Sequence, residues 1–196
     1  MKRKVIAITG KIGSGKSAVA RILRDMGYKT IDCDELAKQV ASKPEVVERV
    51  AQLLGSHCVV NGALNRKAIR EIVFKDEALL KKYEQIFFDG VKELLVANVD
   101  HLQENIATEN DRQAVFVEIP VLDAFSFTWD AIWRVESSEK DCISRVIARD
   151  SVSADNVRST LSRQKTYDCS HIIKNDGNIE ELMQSVRNAL ANSGLI

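Results

Sequence analysis

The sequence has no surplus of charge of either sign and no long apolar run. Its 196 residues include 28 Lys and Arg against 28 Asp and Glu, so the formal net charge is zero. A nucleic-acid-binding protein needs a basic surface to attract phosphates, and this composition does not supply one. The apolar runs are too short to cross a membrane as a helix. We therefore expect neither a nucleic-acid nor a membrane partner, and a cytoplasmic location.

Cysteine and histidine are few and widely scattered. The chain has four cysteines and three histidines, and none shows the spacing of a zinc site. Because 45% of the residues are apolar, the chain can form a core without a disulfide framework. Internal repeats and low-complexity linkers are also lacking. We expect free thiols at Cys33, Cys58, Cys142 and Cys169.

Strand patterns and helix patterns alternate along the chain. Residues 5–8 form a continuous apolar run, which is typical of a strand buried on both faces of a parallel sheet. A helical pattern begins at Lys16, and further strand segments are predicted at 29–31, 114–118, 131–135 and 172–173. This alternation predicts one α/β domain over residues 1–196, with five parallel strands flanked by helices.

The middle of the chain is almost entirely helical in pattern. Asn65 can cap a helix that runs to residue 73, and residues 77–105 are rich in helix formers. Gly90 makes a kink or a break possible there. So much helix between two strand regions predicts an inserted helical region, at residues 64–108, that covers a substrate.

The strongest motif is a complete GxxxxGKS, or P-loop. Backbone N–H groups must point inward around a polyphosphate, and glycines permit that conformation, while the next helix adds its N-terminal dipole. We predict that Lys16 reaches the β- and γ-phosphates of ATP, that Ser17 ligates Mg²⁺ and that the Ala18 N–H contacts the α-phosphate. The alternative of simple turn glycines leaves Lys16 and Ser17 unexplained. The motif is Gly10-Lys11-Ile12-Gly13-Ser14-Gly15-Lys16-Ser17, and the ATP-binding residues are Gly13, Ser14, Gly15, Lys16, Ser17 and Ala18.

Two carboxylates follow the second predicted strand. Asp32 and Asp34 would lie at the carboxyl edge of the sheet, where ligands of open α/β sheets bind. A carboxylate there can accept the proton of an attacking hydroxyl group or bind a magnesium water. Asp34 could equally cap the helix that begins near Glu35. The spacing does not decide between these readings.

Arg145 and Arg149 lie four residues apart on a predicted helix and therefore share one face. Two guanidinium groups near a phosphate site can stabilise the charge on the transferring group. Since Asp141 and Asp150 are close in sequence, ordinary surface charge is the alternative, and spacing alone favours it.

Several segments, in order, resemble the dephospho-coenzyme A kinase family. The opening 8–17 is similar to the family's LTGGIGSGKS, and residues 30–37 resemble its VIDAD followed by Ile-Ala-Arg. Residues 64–74 resemble LDRxxLRxxVF, and 119–122 resemble IPLL. The matches end with Ala148-Arg149-Asp150 for ARD, and with residues 172–177 for VIxNxG.

The resemblance implies MgATP-dependent phosphorylation of the ribose 3′-hydroxyl of dephospho-coenzyme A by a P-loop kinase core, with a helical substrate region and a lid at residues 145–166. It implies Asp34 as general base and Asp32 as its partner carboxylate. We also expect Asp32 to bind the Mg²⁺ ion. Arg145 and Arg149 correspond to lid arginines, and Asn175 to the loop that borders adenine.

The chain departs from the family pattern on the acceptor side. Phe88-Asp89 replaces the usual His-Pro, and Asp123-Ala124 replaces the usual Phe-Glu. Lys38 stands where the family has Arg, and Lys11 where it has a second glycine. Lys38 keeps the charge but loses the bidentate fork of an arginine.

The leading hypothesis is therefore a dephospho-coenzyme A kinase. One rival is a kinase of the same fold that acts on a nucleoside or nucleotide. Another is a protein that binds ATP but has lost phosphate transfer, although Lys16, Ser17, Asp34 and Arg149 argue against it. The sequence leaves the oligomeric state open.

Overall fold

The computed structural model describes residues 2–73, 75–104 and 113–196. They fall into two compact units. The first unit comprises Met1–Asp32, Val99–Asp123 and Thr128–Ile196, and the second comprises Cys33–Asn98 and Ala124–Phe127. Phe74 of the resemblance and residues 105–108 of the predicted insertion lie outside the described residues. Within these ranges no helix is both long and apolar enough to cross a membrane.

The described elements are, in chain order, β1 (Lys4–Thr9), α1 (Lys16–Asp25), β2 (Lys29–Asp32), α2 (Cys33–Ala41), α3 (Pro44–Leu54), a 3₁₀ turn (Ser56–Cys58), β3 (Val59–Val60), β4 (Ala63–Leu64), α4 (Arg66–Val73), α5 (Glu77–Glu104), β5 (Ala114–Glu118), β6 (Ala131–Glu136), α6 (Glu139–Asp150), α7 (Ala154–Arg163), β7 (His171–Lys174) and α8 (Ile179–Asn192).

The first unit contains the predicted five-stranded parallel sheet. Its strand order is β2-β5-β1-β6-β7, and every pairing is parallel. Parallel strands need crossover connections, and these helices cover the faces of the sheet. Accordingly, every residue of β5 is buried, and so is every residue of β1 after Lys4. Residues from α1 and α8 complete one buried cluster with the sheet, including Leu23, Trp133 and Leu190.

The second unit is mainly helical, as the middle of the sequence predicts. Asn65 caps α4, because its Oδ1 accepts a hydrogen bond from the Ala68 N–H at 3.3 Å. The hairpin formed by β3 and β4 was not predicted. Asn61 and Gly62 form its turn with φ angles of 51° and 76°. This Asn-Gly pair is a strong hairpin signal, but strands of two residues are too short to show an alternating pattern.

Helix α5 runs without interruption through Gly90, so the possible break there is not present. A Cβ atom at position 90 would lie 2.8 Å from Cγ1 of Val40, which belongs to α2 and is fully buried. Glycine therefore lets two helices of the second unit approach closely. The residue therefore has a packing role.

We predict that Gly90→Ala lowers the free energy of unfolding by about 1 kcal/mol, because overpacking outweighs the gain in helix propensity. Urea denaturation measures the change. In a Val40→Ala background the same substitution should become neutral or stabilising, since the clashing methyl group is gone. An equal effect in both backgrounds would show that the contact with Val40 is not the cause.

Candidate functional site

The P-loop connects the carboxyl end of β1 to the amino end of α1. Gly15 is the N-cap residue of α1, with φ of 100°, and no side chain caps the helix. The first turn contains no acidic residue. The first N–H groups of a helix lack intrahelical partners, and the helix dipole favours an anion beside them. This helix end is therefore suited to a phosphate group.

The Lys16 ammonium lies across the opening of the loop. Its Nζ donates hydrogen bonds to the carbonyl oxygens of Gly10, at 2.9 Å, and Lys11, at 3.3 Å. The loop is also closed by a hydrogen bond from the Ser14 N–H to the Lys11 oxygen at 3.1 Å. A cation is thus already held where the predicted phosphates would arrive.

Neighbouring segments support the loop from outside. At Gly13, with φ of 77°, a Cβ atom would collide with the carbonyl oxygen of Cys142 in α6. At Gly15, a Cβ atom would collide with the side-chain amide of Asn175. That amide is buried and donates a hydrogen bond to the Ser14 oxygen at 2.7 Å. Asn175, which we expected beside adenine, is thus bound to the P-loop backbone.

Arg145 and Arg149 have different surroundings. Arg145 donates to the oxygen of Gly13 at 3.2 Å, to Ser137 Oγ at 3.0 Å and to the oxygen of Asn175 at 2.9 Å. Arg149 is exposed and forms a two-point contact with Asp150, at 2.7 Å for each hydrogen bond. This contact lowers the pKa of Asp150. The structure thus brings Arg145 to the phosphate loop and places Arg149 beside a surface carboxylate.

A buried carboxylate that the sequence analysis did not single out lies next to Ser17. Ser17 Oγ donates a hydrogen bond to Glu118 Oε1 at 2.6 Å. Glu118 ends β5 and is in register with Asp32 at the end of β2. The sequence contained one signal that could have identified Glu118: it is a charged residue at the end of an otherwise apolar strand. Ser17, Glu118 and Asp32 thus all come from the edge of the sheet where the P-loop lies.

These groups fit a hard divalent cation such as Mg²⁺, which prefers oxygen ligands. No group of three or more His, Cys, Asp or Glu side chains in the described ranges is arranged to hold a metal ion. Kinase sites usually bind Mg²⁺ through one or two carboxylates together with substrate phosphates. The Ser17 hydroxyl and the adjacent carboxylates agree with that donor set.

Asp34 belongs to the second unit and is exposed. Helix α2 begins at Cys33, so Asp34 is the second residue of the helix. Asp34 thus lies in the first turn of the helix rather than before it, where a negative charge is favourable. In the same unit Lys38 pairs with Glu35 at 2.5 Å.

Asp123, one of the departures from the family pattern, contacts the segment after α7. Its carboxylate accepts hydrogen bonds from Lys165 Nζ and Tyr167 Oη, both at 2.6 Å. The lysine and the tyrosine lower the pKa of Asp123. Burial and Asp123 together raise the pKa of Tyr167 to about 12. Asp123 is therefore an anchor for this segment.

A cavity of about 420 Å³ lies beside the P-loop in the first unit, and its lining includes Gly10, Lys11 and Glu136. Arg134, at 2.7 Å, and Lys174, at 2.6 Å, both bind the Glu136 carboxylate. These contacts lower the pKa of Glu136. Two cations thus compensate the Glu136 carboxylate within this cavity.

Comparisons with known proteins agree with this geometry. A family model described as dephospho-CoA kinase matches residues 4–181. The dephospho-CoA kinase of Thermus thermophilus is 32% identical over 196 residues, covering 95% of this chain and 90% of that protein. The enzyme of Staphylococcus epidermidis is 29% identical over 202 residues, covering 98% and 97%.

A solved structure has the same fold. The crystal structure of TT1252 from Thermus thermophilus superposes with a TM-score of 0.80 at 29% identity, and the match covers 98% of each chain. The ordered motifs, the phosphate-binding loop and these similarities agree along nearly the whole length. The chain belongs to the dephospho-CoA kinase family.

Proposed function

We propose that this protein transfers the terminal phosphate of ATP to the ribose 3′-hydroxyl of dephospho-coenzyme A, giving coenzyme A and ADP. The observation that carries the proposal is the loop from Gly10 to Ser17, with Lys16 across its opening and Ser17 hydrogen-bonded to Glu118. A cation, a helix N-terminus and a carboxylate edge are the groups that phosphoryl transfer requires. The proposed acceptor, dephospho-coenzyme A, is taken from the family match.

In the proposed reaction the acceptor oxygen forms a bond to the γ-phosphorus while the bond to the β,γ-bridging oxygen breaks. Asp34 accepts the proton of the acceptor hydroxyl. Lys16 leaves the carbonyl oxygens of Gly10 and Lys11 to compensate the charge of the β- and γ-phosphates. Because the formal net charge of the chain is zero, this local cation matters more than any general surface field.

Mg²⁺ is the metal that we propose for this site. Ser17, Glu118 and Asp32 would hold it, and when bound it would neutralise charge on the phosphates. Arg145 keeps the loop in shape through Gly13 and Asn175, whereas Arg149 would have to leave Asp150 to reach a phosphate. Arg145 is thus the better preorganised of the two proposed lid arginines.

The acceptor is tested with excess MgATP and a panel of dephospho-coenzyme A, adenosine, AMP, CMP and pantetheine phosphate. We expect ADP release above background only with dephospho-coenzyme A, and NMR should place the new phosphate on the ribose 3′-oxygen. Lys16→Ala is the control for a contaminating kinase and should abolish release. A strong response to AMP or CMP would refute the acceptor while leaving a kinase.

Asp34→Asn should keep ATP binding and lower kcat roughly 10²–10⁴-fold, the contribution of one acid–base group. The change is nearly isosteric and leaves the P-loop intact. Glu35→Gln is the matched control, because it removes a negative charge from the same turn of α2. Turnover that is equal in the two variants would argue that Asp34 acts only through its charge near the helix end.

Glu118→Gln should raise the Mg²⁺ concentration needed for half-maximal rate roughly 10- to 100-fold, since a neutral amide is a poor substitute for a carboxylate near the ion. Glu136→Gln is the control. Glu136 ends β6, in the same sheet, and its carboxylate already pairs with Arg134 and Lys174. If both variants shift the Mg²⁺ dependence alike, Glu118 has no special role at the metal.

A further inference from the structure

Both ends of the proposed lid segment are hydrogen-bonded to the P-loop. At one end Arg145 donates to the Gly13 oxygen at 3.2 Å. At the other end Gln164 Oε1 accepts a hydrogen bond from the Ile12 N–H at 2.7 Å. Gln164 directly follows α7, and its own N–H donates to the Thr160 oxygen. This hydrogen bond fixes the backbone from which the Gln164 side chain extends. Two adjacent P-loop residues are thus held by α6 and by the end of α7.

The Ile12 side chain strengthens this connection. It packs against a buried cluster that α6 and α7 form between them. The cluster consists of Cys142, Val146, Val157 and Leu161. Burial raises the pKa of the Cys142 thiol, so this contact surface stays uncharged at neutral pH. The P-loop at Ile12 and Gly13 therefore packs together with α6 and α7.

The two hydrogen bonds fix alternate peptide groups of the loop. Gln164 binds the peptide that joins Lys11 to Ile12, and Arg145 binds the peptide that joins Gly13 to Ser14. Between them lies the peptide that carries the Gly13 N–H, one of the donors proposed for the phosphates. Because peptide groups are planar, holding both neighbours fixes the Cα atoms of Ile12 and Gly13, and the peptide between them keeps only a rotation about the line that joins these atoms.

We propose that Gln164 is a positioning residue for phosphate transfer. Its side-chain oxygen orients the Ile12 peptide and, through it, the Gly13 N–H toward the developing charge on the phosphates. The proposal rests on the proposed function. Donors that are already aimed need no reorganisation during the reaction, which lowers the barrier more than it strengthens ground-state binding.

The test compares three variants. Gln164→Met keeps the length of the side chain and removes the acceptor oxygen, whereas Gln164→Glu keeps an acceptor oxygen. Gln184→Met is the matched control, because Gln184 is exposed on α8, where its side-chain amide donates to Asn188 Oδ1 at 2.9 Å. Amide hydrogen exchange at Ile12, followed by NMR, reports the contact, and kcat and KM for ATP report its consequence.

In Gln164→Met we expect exchange of the Ile12 amide to accelerate and kcat to fall roughly tenfold, the effect of losing one ordinary hydrogen bond. KM for ATP should change less than kcat. Gln164→Glu should restore slow exchange and much of kcat, although its charge should raise KM for ATP. Gln184→Met should match the wild type in all three measurements.

Three results would overturn the proposal: unchanged Ile12 exchange in Gln164→Met, a kcat equal to that of Gln184→Met, or a loss of Tm with no rescue by Gln164→Glu. Absence of wild-type turnover with dephospho-coenzyme A would contradict the proposed function instead. In that case the exchange rate of the Ile12 amide alone decides. An unchanged rate in Gln164→Met would overturn the positioning contact, and a faster rate would support it.

Discussion

The close approach of α6 to the P-loop at Gly13 is the constraint on which the arrangement of the first unit depends. Any side chain at that position would meet the carbonyl oxygen of Cys142. With the backbones this close, Arg145, one turn further along α6, reaches the Gly13 oxygen and the Asn175 oxygen together. Asn175 in turn holds Ser14. A missing Cβ atom therefore allows a helix, a loop and the end of a strand to share one set of hydrogen bonds.

The parallel sheet accounts for the carboxylates in the same way. Asp32 and Glu118 are far apart in sequence, but each ends its strand, and the β2–β5 register makes them neighbours. Ser17 reaches Glu118 because its own helix begins at that edge. Strand ends in a parallel sheet thus collect polar groups that no local sequence pattern connects.

Local signals in the sequence predicted much of the fold. Pro44 and Gly55 bracket α3, Ser153 caps α7, and the apolar runs give all five strands of the sheet. These features depend on residues a few positions apart. The P-loop was equally accessible, because three glycines within a short stretch of the sequence adopt the positive φ angles of its conformation.

What the sequence could not provide depends on partners distant along the chain. Glu118 becomes a site residue through Ser17, 101 positions away, and Gln164 contacts Ile12 across 152 positions. Gly90 was interpreted as a possible break because its reason, the side chain of Val40, belongs to another helix. Arg149 is a different case, because its partner Asp150 is the next residue and the sequence already offered surface charge as the alternative there.

The contacts that hold the P-loop from outside engage peptide groups: the Ile12 N–H, the Gly13 oxygen and the Ser14 oxygen. Lys11 likewise takes part through its carbonyl oxygen, while the residue is exposed. Its φ angle is not positive, so nothing in its backbone requires the glycine common in the family. Position 11 therefore accepts a side chain other than that of lysine, and a spectroscopic label attached there would lie beside the loop without replacing any of its backbone donors.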